Sequence, residues 1–191
     1  MHVSKDDYLR SVKLKLALLG DPAVGKTSLI NMYTQHRFSS DYQPTLGVNI
    51  IVKELALKDI NTYVRLVLWD IAGQDKYDLG RKRYFQGILG ALLIFDTTRD
   101  LTFKNIELKW LKDMKDFGEK DPVYILIGNK IDLKDSRLVS AEEGKNLAEK
   151  IKAIDYIETS AKYGDYVEIA FQKLVYHVLF KLGFITDISL F

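Results

Sequence analysis

Two short runs, GALLIF at 90–95 and VYILI at 123–127, are almost unbroken by polar side chains. A strand with one wet face alternates apolar and polar residues, so a strand that is apolar throughout must be covered on both faces. That condition is met in a parallel sheet held between layers of helix. Four further strand-like runs lie at 12–19 (VKLKLALL), 47–57 (GVNIIVKELAL), 62–69 (TYVRLVLW) and 154–158 (IDYIE). Helical periods separate them: Phe103, Ile106, Trp110, Met114 and Phe117 recur at spacings of three and four, as do Val167, Phe171, Leu174, Val178 and Leu182. Ser140 with Glu143 three residues on is a capping-box signature for a helix over 141–151. Strands alternating with helices imply right-handed crossovers, and the expected class is α/β: a six-stranded, mostly parallel sheet with helices on both faces. No repeat, low-complexity tract or Pro/Gly-rich linker divides the chain, so a single domain over 1–191 is expected, with a short apolar tail at 183–191.

Composition removes several classes of function. A net charge of +2 gives no support for nucleic-acid binding, which asks for a strongly basic face. Cysteine is absent, so there is no disulfide framework, thiolate metal site or cysteine nucleophile. His2, His36 and His177 lie far apart and show no metal-ligand spacing. The start MHVSKDDYLR lacks the apolar stretch of a signal peptide, and no window approaches the length of a membrane span. A cytoplasmic protein is expected, with membrane contact at most peripheral.

In a doubly wound sheet, ligands bind at the loops leaving the carboxyl ends of the strands. The chemistry-bearing segments of this chain follow residues 19, 69, 95, 127 and 158. GDPAVGKT at 20–27 fits G-x-x-x-x-G-K-[ST] between a strand and a helix, the phosphate-loop context. Its backbone amides, from Asp21, Ala23, Val24, Gly25 and onward to Ser28, can wrap a phosphate chain at a helix N-terminus. Lys26 is placed to reach the β- and γ-phosphates and the Thr27 hydroxyl to hold Mg²⁺. Pro22 has no N–H and removes one donor from that loop.

WDIAGQD at 69–75 puts Asp70 at a strand end beside the phosphate loop, where a carboxylate can hold a water of Mg²⁺. NKID at 129–132 offers Asn129, Lys130 and Asp132. A carboxylate only accepts, and guanine presents two adjacent donors, N1–H and the 2-amino group, so Asp132 can select guanine over adenine. TSAK at 159–162 supplies Ser160, Ala161 and Lys162, whose backbone amides can meet a purine carbonyl oxygen while the Lys162 stem lies along the base.

Together with Pro44-Thr45, these segments resemble the five nucleotide motifs of Ras-superfamily small GTPases, over about residues 12–180. Thr45-Leu46-Gly47-Val48, Trp69 before Asp70, and RYFQGILGALLIFDTT make the resemblance greatest to the Rab branch. The resemblance implies a P-loop NTPase fold, GTP/GDP and Mg²⁺ as ligands, and slow GTP hydrolysis. It implies that Phe38 packs on the guanine with Lys130 and Lys162 at its faces, and that Tyr42 belongs to the nucleotide site. It implies that Thr45 closes over the γ-phosphate and Mg²⁺, that Gly73 donates its amide to the γ-phosphate, and that Gln74 orients the attacking water. Residues 36–47 and 71–83 are then two switches, read by an exchange factor, a GTPase-activating protein and effectors. Ile50, Trp69 and Tyr84 stand where Rab proteins carry a hydrophobic effector-contacting triad, or else are ordinary core side chains. A monomer is expected. Rab proteins end in prenylated cysteines; without a cysteine, no prenyl anchor is expected here.

Two other readings use the same loop. An ATPase or small-molecule kinase would not need Asp132, and competition between GTP and ATP separates it. A module that only stores nucleotide would need neither Gln74 nor Thr45, and multiple-turnover phosphate release separates that one.

Overall fold

A computed structural model of the chain describes residues 7–41, 43–73, 83–119 and 121–188. Six strands form one sheet: β1 Arg10–Leu19, β2 Val48–Leu57, β3 Thr62–Ile71, β4 Gly90–Asp96, β5 Val123–Asn129 and β6 Tyr156–Thr159. Their order is β2-β3-β1-β4-β5-β6. Every pairing is parallel except β2 with β3. The six-stranded, mostly parallel α/β sheet expected from the two apolar runs is present.

Side-chain alternation along the strands divides the core into two layers. On β1, Leu14, Leu16 and Leu18 face one layer while Ala17 and Leu19 face the other. On β4, Leu92 and Ile94 face the first layer, and Ala91, Leu93 and Phe95 the second. This is why GALLIF carries no polar residue: both of its faces are covered. Helix α1 (Lys26–Gln35) supplies Leu29, Ile30 and Tyr33 to the first layer, as does α4 (Val167–Lys181) with Phe171, Leu174 and Val178. Tyr33 stacks on Phe171 with ring centroids 4.0 Å apart. The second layer receives Ile106, Trp110 and Met114 from α2 (residues 100–117), and Leu147, Ala148 and Ile151 from α3 (Ala141–Ile151). The α3 capping box forms as expected, with the Glu143 amide donating to Ser140 Oγ and the Ser140 amide donating to the Glu143 carboxylate.

The helix α2 departs from its expected regularity. It runs as an α-helix over Asp100–Asn105, as a π-helical segment over Ile106–Leu111, and again as an α-helix over Lys112–Phe117. Past α4, Phe184 packs against the first core layer and Ile185 is buried in it, so the tail begins by turning back onto the domain.

β1 lies between β3, reached through α1 and the β2–β3 hairpin, and β4, reached on its other side. Its carboxyl end is the point where strand order reverses, the ligand position in sheets of this kind.

Candidate functional site

The loop after β1 leads into α1 through Gly25, whose φ of 103° is left-handed backbone. A Cβ on Gly25 would lie 2.3 Å from Asn129 Nδ2, so the close approach of the two segments also demands glycine. No side chain caps the α1 N-terminus, which leaves its amides and the positive end of its dipole facing outward. The Lys26 ammonium donates to the carbonyls of Gly20 (2.7 Å) and Asp21 (2.9 Å). Burial pushes it down to about 8, against the opposing pull of the Asp70 and Asp21 carboxylates. A polyanion beside it would favour its charged form further.

Three oxygens gather beneath that loop. Thr27 Oγ1 donates to Asp70 Oδ2 at 2.5 Å, and the Thr27 and Thr45 hydroxyls are 3.1 Å apart. Asp70 is completely buried, and its Oδ1 has no hydrogen-bond partner among the described residues. Burial raises the Asp70 carboxyl, with the Thr27 hydroxyl and Lys26 ammonium opposing. A buried carboxylate oxygen without a partner, beside two hydroxyls, is a hard-oxygen donor set that fits Mg²⁺ with most of its waters retained.

A cleft of about 730 Å³ continues from these groups to the loops after β5 and β6. Pro22, Ala23, Gly25, Lys26, Thr27 and Ser28 line one end, with Thr45 and Gly73 at its side. Phe38, Asn129, Lys130, Asp132, Ala161 and Lys162 line the other. Phe38 is 42% exposed, a large apolar side chain left open at the cleft. Three residues named from the sequence are built in behind the lining. Val24 is in the core, and the Asp21 carboxylate turns away toward α2, accepting from Asn105 Nδ2 (2.7 Å) and Trp110 Nε1 (2.8 Å). Buried Ser160 donates through Oγ to Asp132 Oδ1 at 2.7 Å, fixing that carboxylate.

Asn129 ties the two ends of the cleft together. Its Nδ2 donates to the Val24 carbonyl (2.8 Å), and its Oδ1 accepts from Thr159 Oγ1 (3.1 Å) and the Ala161 amide (3.2 Å). The Ala161 amide, expected at a purine oxygen, is thus engaged by Asn129 in this structure. The Lys130 ammonium pairs with Asp96 Oδ2 at 2.7 Å. Burial works against ionisation of Asp96, but Lys130 and the Thr98 hydroxyl and amide outweigh it and hold the carboxyl below its usual range. The Lys162 ammonium lies 5.0 Å from the Tyr163 ring.

Gln74 and Tyr42 lie outside the described residues, as does most of 71–83. Ile50 and Trp69 are cross-strand partners, and the Trp69 and Tyr84 rings are 6.2 Å apart. Ile50 is 48% exposed, and the Lys15 ammonium sits 3.7 Å over the Trp69 ring. The sequence did not point to Asn105, Trp110 or Arg99, all of which grip the phosphate loop. A buried indole N–H needs an acceptor, but nothing local says that the acceptor is 89 residues away.

Residues 15–180 match the Ras family. The chain is 41% identical over 169 residues to Ras-related protein RABA6b of Arabidopsis thaliana, covering 88% of this chain and 70% of that one. Ras-related protein YPTC6 of Chlamydomonas reinhardtii is 37% identical over 183 residues, covering 94% and 82%. Ras-related protein RGP2 of Oryza sativa subsp. japonica is 37% identical over 172 residues, covering 90% and 77%. The chain belongs to the Ras family. It is a Rab-related small GTPase, a GTP-binding switch protein that hydrolyses GTP. Among the described residues no helix is long and apolar enough to cross a membrane.

Proposed function

We propose that this GTPase binds GTP or GDP with Mg²⁺ along the cleft, phosphates over α1 and guanine between the β5 and β6 loops, and switches partners on hydrolysis. One observation carries the reading: a single continuous cleft has Lys26, Thr27 and Thr45 at one end and Asp132 and Lys162 at the other. In it Lys26 and the α1 amides bind the phosphates, while Thr27, Thr45 and buried Asp70 form the Mg²⁺ site. The metal neutralises phosphate charge. Asp132, held by Ser160, accepts the two guanine donors, and Phe38 and the Lys162 stem cover the base. Gly73 donates to the γ-phosphate, and Gln74 aligns water for in-line attack, so catalysis is positioning and charge stabilisation.

Residues 36–47 and 71–83 act as the switches, met by an exchange factor, an activating protein and effectors, with Ile50, Trp69 and Tyr84 as the apolar effector contact. The protein works as a cytoplasmic monomer that reaches membranes through partners. The deciding experiment extracts and identifies the co-purifying nucleotide, then follows phosphate release over many turnovers with Mg²⁺ and GTP, with ATP as competitor. A guanine nucleotide and GTP-dependent turnover are expected. An adenine nucleotide, or bound GTP that never turns over, refutes the reading.

A further inference from the structure

The π-helical segment of α2 has a consequence at the phosphate loop. Asn105 and Trp110 stand five residues apart. On a regular α-helix of 3.6 residues per turn they would point about 140° apart around the axis and could not meet one group. An i→i+5 ladder stacks residues five apart on one side. Both side chains therefore reach Asp21, Asn105 Nδ2 on Oδ2 at 2.7 Å and Trp110 Nε1 on Oδ1 at 2.8 Å. One donor on each oxygen fixes the carboxylate in rotation as well as in place.

Asp21 passes that constraint on. Its carbonyl accepts the Lys26 ammonium at 2.9 Å. The next carbonyl, of Pro22, accepts Arg99 Nη2 at 2.9 Å. On the other side of this peptide lies Gly73, where an added Cβ would sit 2.4 Å from Pro22 N and 2.5 Å from the Asp21 carbonyl carbon. The Asp21–Pro22 peptide is thus clamped between α2 and Gly73. Trp110 is fully buried and Asp21 is 7% exposed, so bulk water does not compete for the indole bond, while the Asn105 bond is half-buried.

We propose that Asn105 and Trp110 are positioning residues for GTP hydrolysis, aimed by the π-helical turn at Asp21 and acting through its peptide on the Lys26 ammonium and on Gly73. The proposal rests on the reading of Lys26 as the phosphate-binding lysine. A purely structural role for the two bonds, satisfying a buried indole and a half-buried amide, would show in stability alone. Positioning shows in the chemical step, where small displacements of a charged group are amplified.

The test compares Trp110→Phe, which keeps an aromatic side chain but loses the N–H and part of the ring volume, and Asn105→Ala with the parent, each alone and combined with Asp21→Ala. Single-turnover GTP hydrolysis, fluorescent-GDP affinity and thermal midpoint are measured on each. We expect either single variant to hydrolyse GTP about tenfold more slowly while GDP affinity changes less than about threefold. With Asp21→Ala already present, neither should slow hydrolysis further, since the path through Asp21 is gone. Hydrolysis within about twofold of the parent in both singles, or losses that multiply on the Asp21→Ala background, overturns the proposal. A parent that binds no guanine nucleotide overturns the cleft reading, and the proposal with it. That failure is seen before any variant is made.

Discussion

Replacing Asn129 with alanine should remove more stability than its size suggests. The side chain is 1% exposed and satisfies three groups: the Val24 carbonyl at 2.8 Å, the Thr159 hydroxyl at 3.1 Å and the Ala161 amide at 3.2 Å. Val24 and Thr159 are wholly buried and Ala161 nearly so, so bulk water cannot take over. Each abandoned partner costs about 1–3 kcal/mol. The space left by the carboxamide is large enough for about one water, which can remake part of the set. The expected net loss is about 3–4 kcal/mol, a large share of the 5–15 kcal/mol typical of a domain. Urea unfolding followed by the fluorescence of Trp69 and Trp110 reads it as a lower midpoint at unchanged slope. The thermal midpoint should fall by about 10 °C for a chain of this length. Because the same amide joins the phosphate loop to the TSAK loop, GDP affinity should fall too. A loss below about 1 kcal/mol would refute the reasoning, since it would mean that these bonds contribute no more than the waters replacing them.

Other substitutions probe single groups. Asp132→Asn should weaken GTP binding and favour xanthosine triphosphate relative to it, because the amide can donate to the carbonyl that replaces the guanine amino group. Retained GTP preference in a nucleotide competition would remove Asp132 from base selection. Asp96 has its folded-state value depressed, so the stability it contributes is full above the ordinary carboxylate range near about pH 4 and is lost as pH falls through the lower folded value. In denaturant midpoints from pH 7 downward, the gap between the parent and Asp96→Asn should hold to about pH 4 and close below it. Pro22→Gly should change the single-turnover hydrolysis rate more than the GDP dissociation constant, since the flanking amides remain while the ring is lost and a single N–H is added. A variant altered chiefly in GDP affinity would count against that assignment.

The parts of this molecule that were readable in the sequence are those governed by local pattern. The unbroken apolar runs gave away two-sided burial, and Ser140 with Glu143 marked a helix start at the residue where it occurs. The motif loops could be placed because strand ends in a parallel sheet converge on one edge. What escaped depends on partners far along the chain. The spacing of Ile106, Trp110 and Met114 reports which side of α2 faces the core, and the π-helical turn leaves that side buried, so apolar periodicity cannot see it. Asp21 reads as a phosphate-loop residue, yet its carboxylate answers to side chains 84 and 89 positions away. Lys130 sits in the NKID segment, and its charge is engaged by Asp96 on the neighbouring strand.

The β2–β3 pairing has a metric consequence. Its last paired residues are Val48 and Ile71, and one more bond, from the Ala72 amide to the Gly47 carbonyl, extends the ladder to the brink of the cleft. Thr45 stands two residues before that final rung and Gly73 one residue after it. At about 3.5 Å per residue, the two have roughly 7 Å and 3.5 Å of free chain respectively. On the function proposed above, the two would act as the jaws of a caliper pivoting on the β2–β3 ribbon, with a travel comparable to a single chemical group rather than to a domain. A gauge of that kind would read the length of a polyphosphate tail by whether both jaws can close on its end. It tolerates changes of side chain along the ribbon far better than one added residue between rung and jaw.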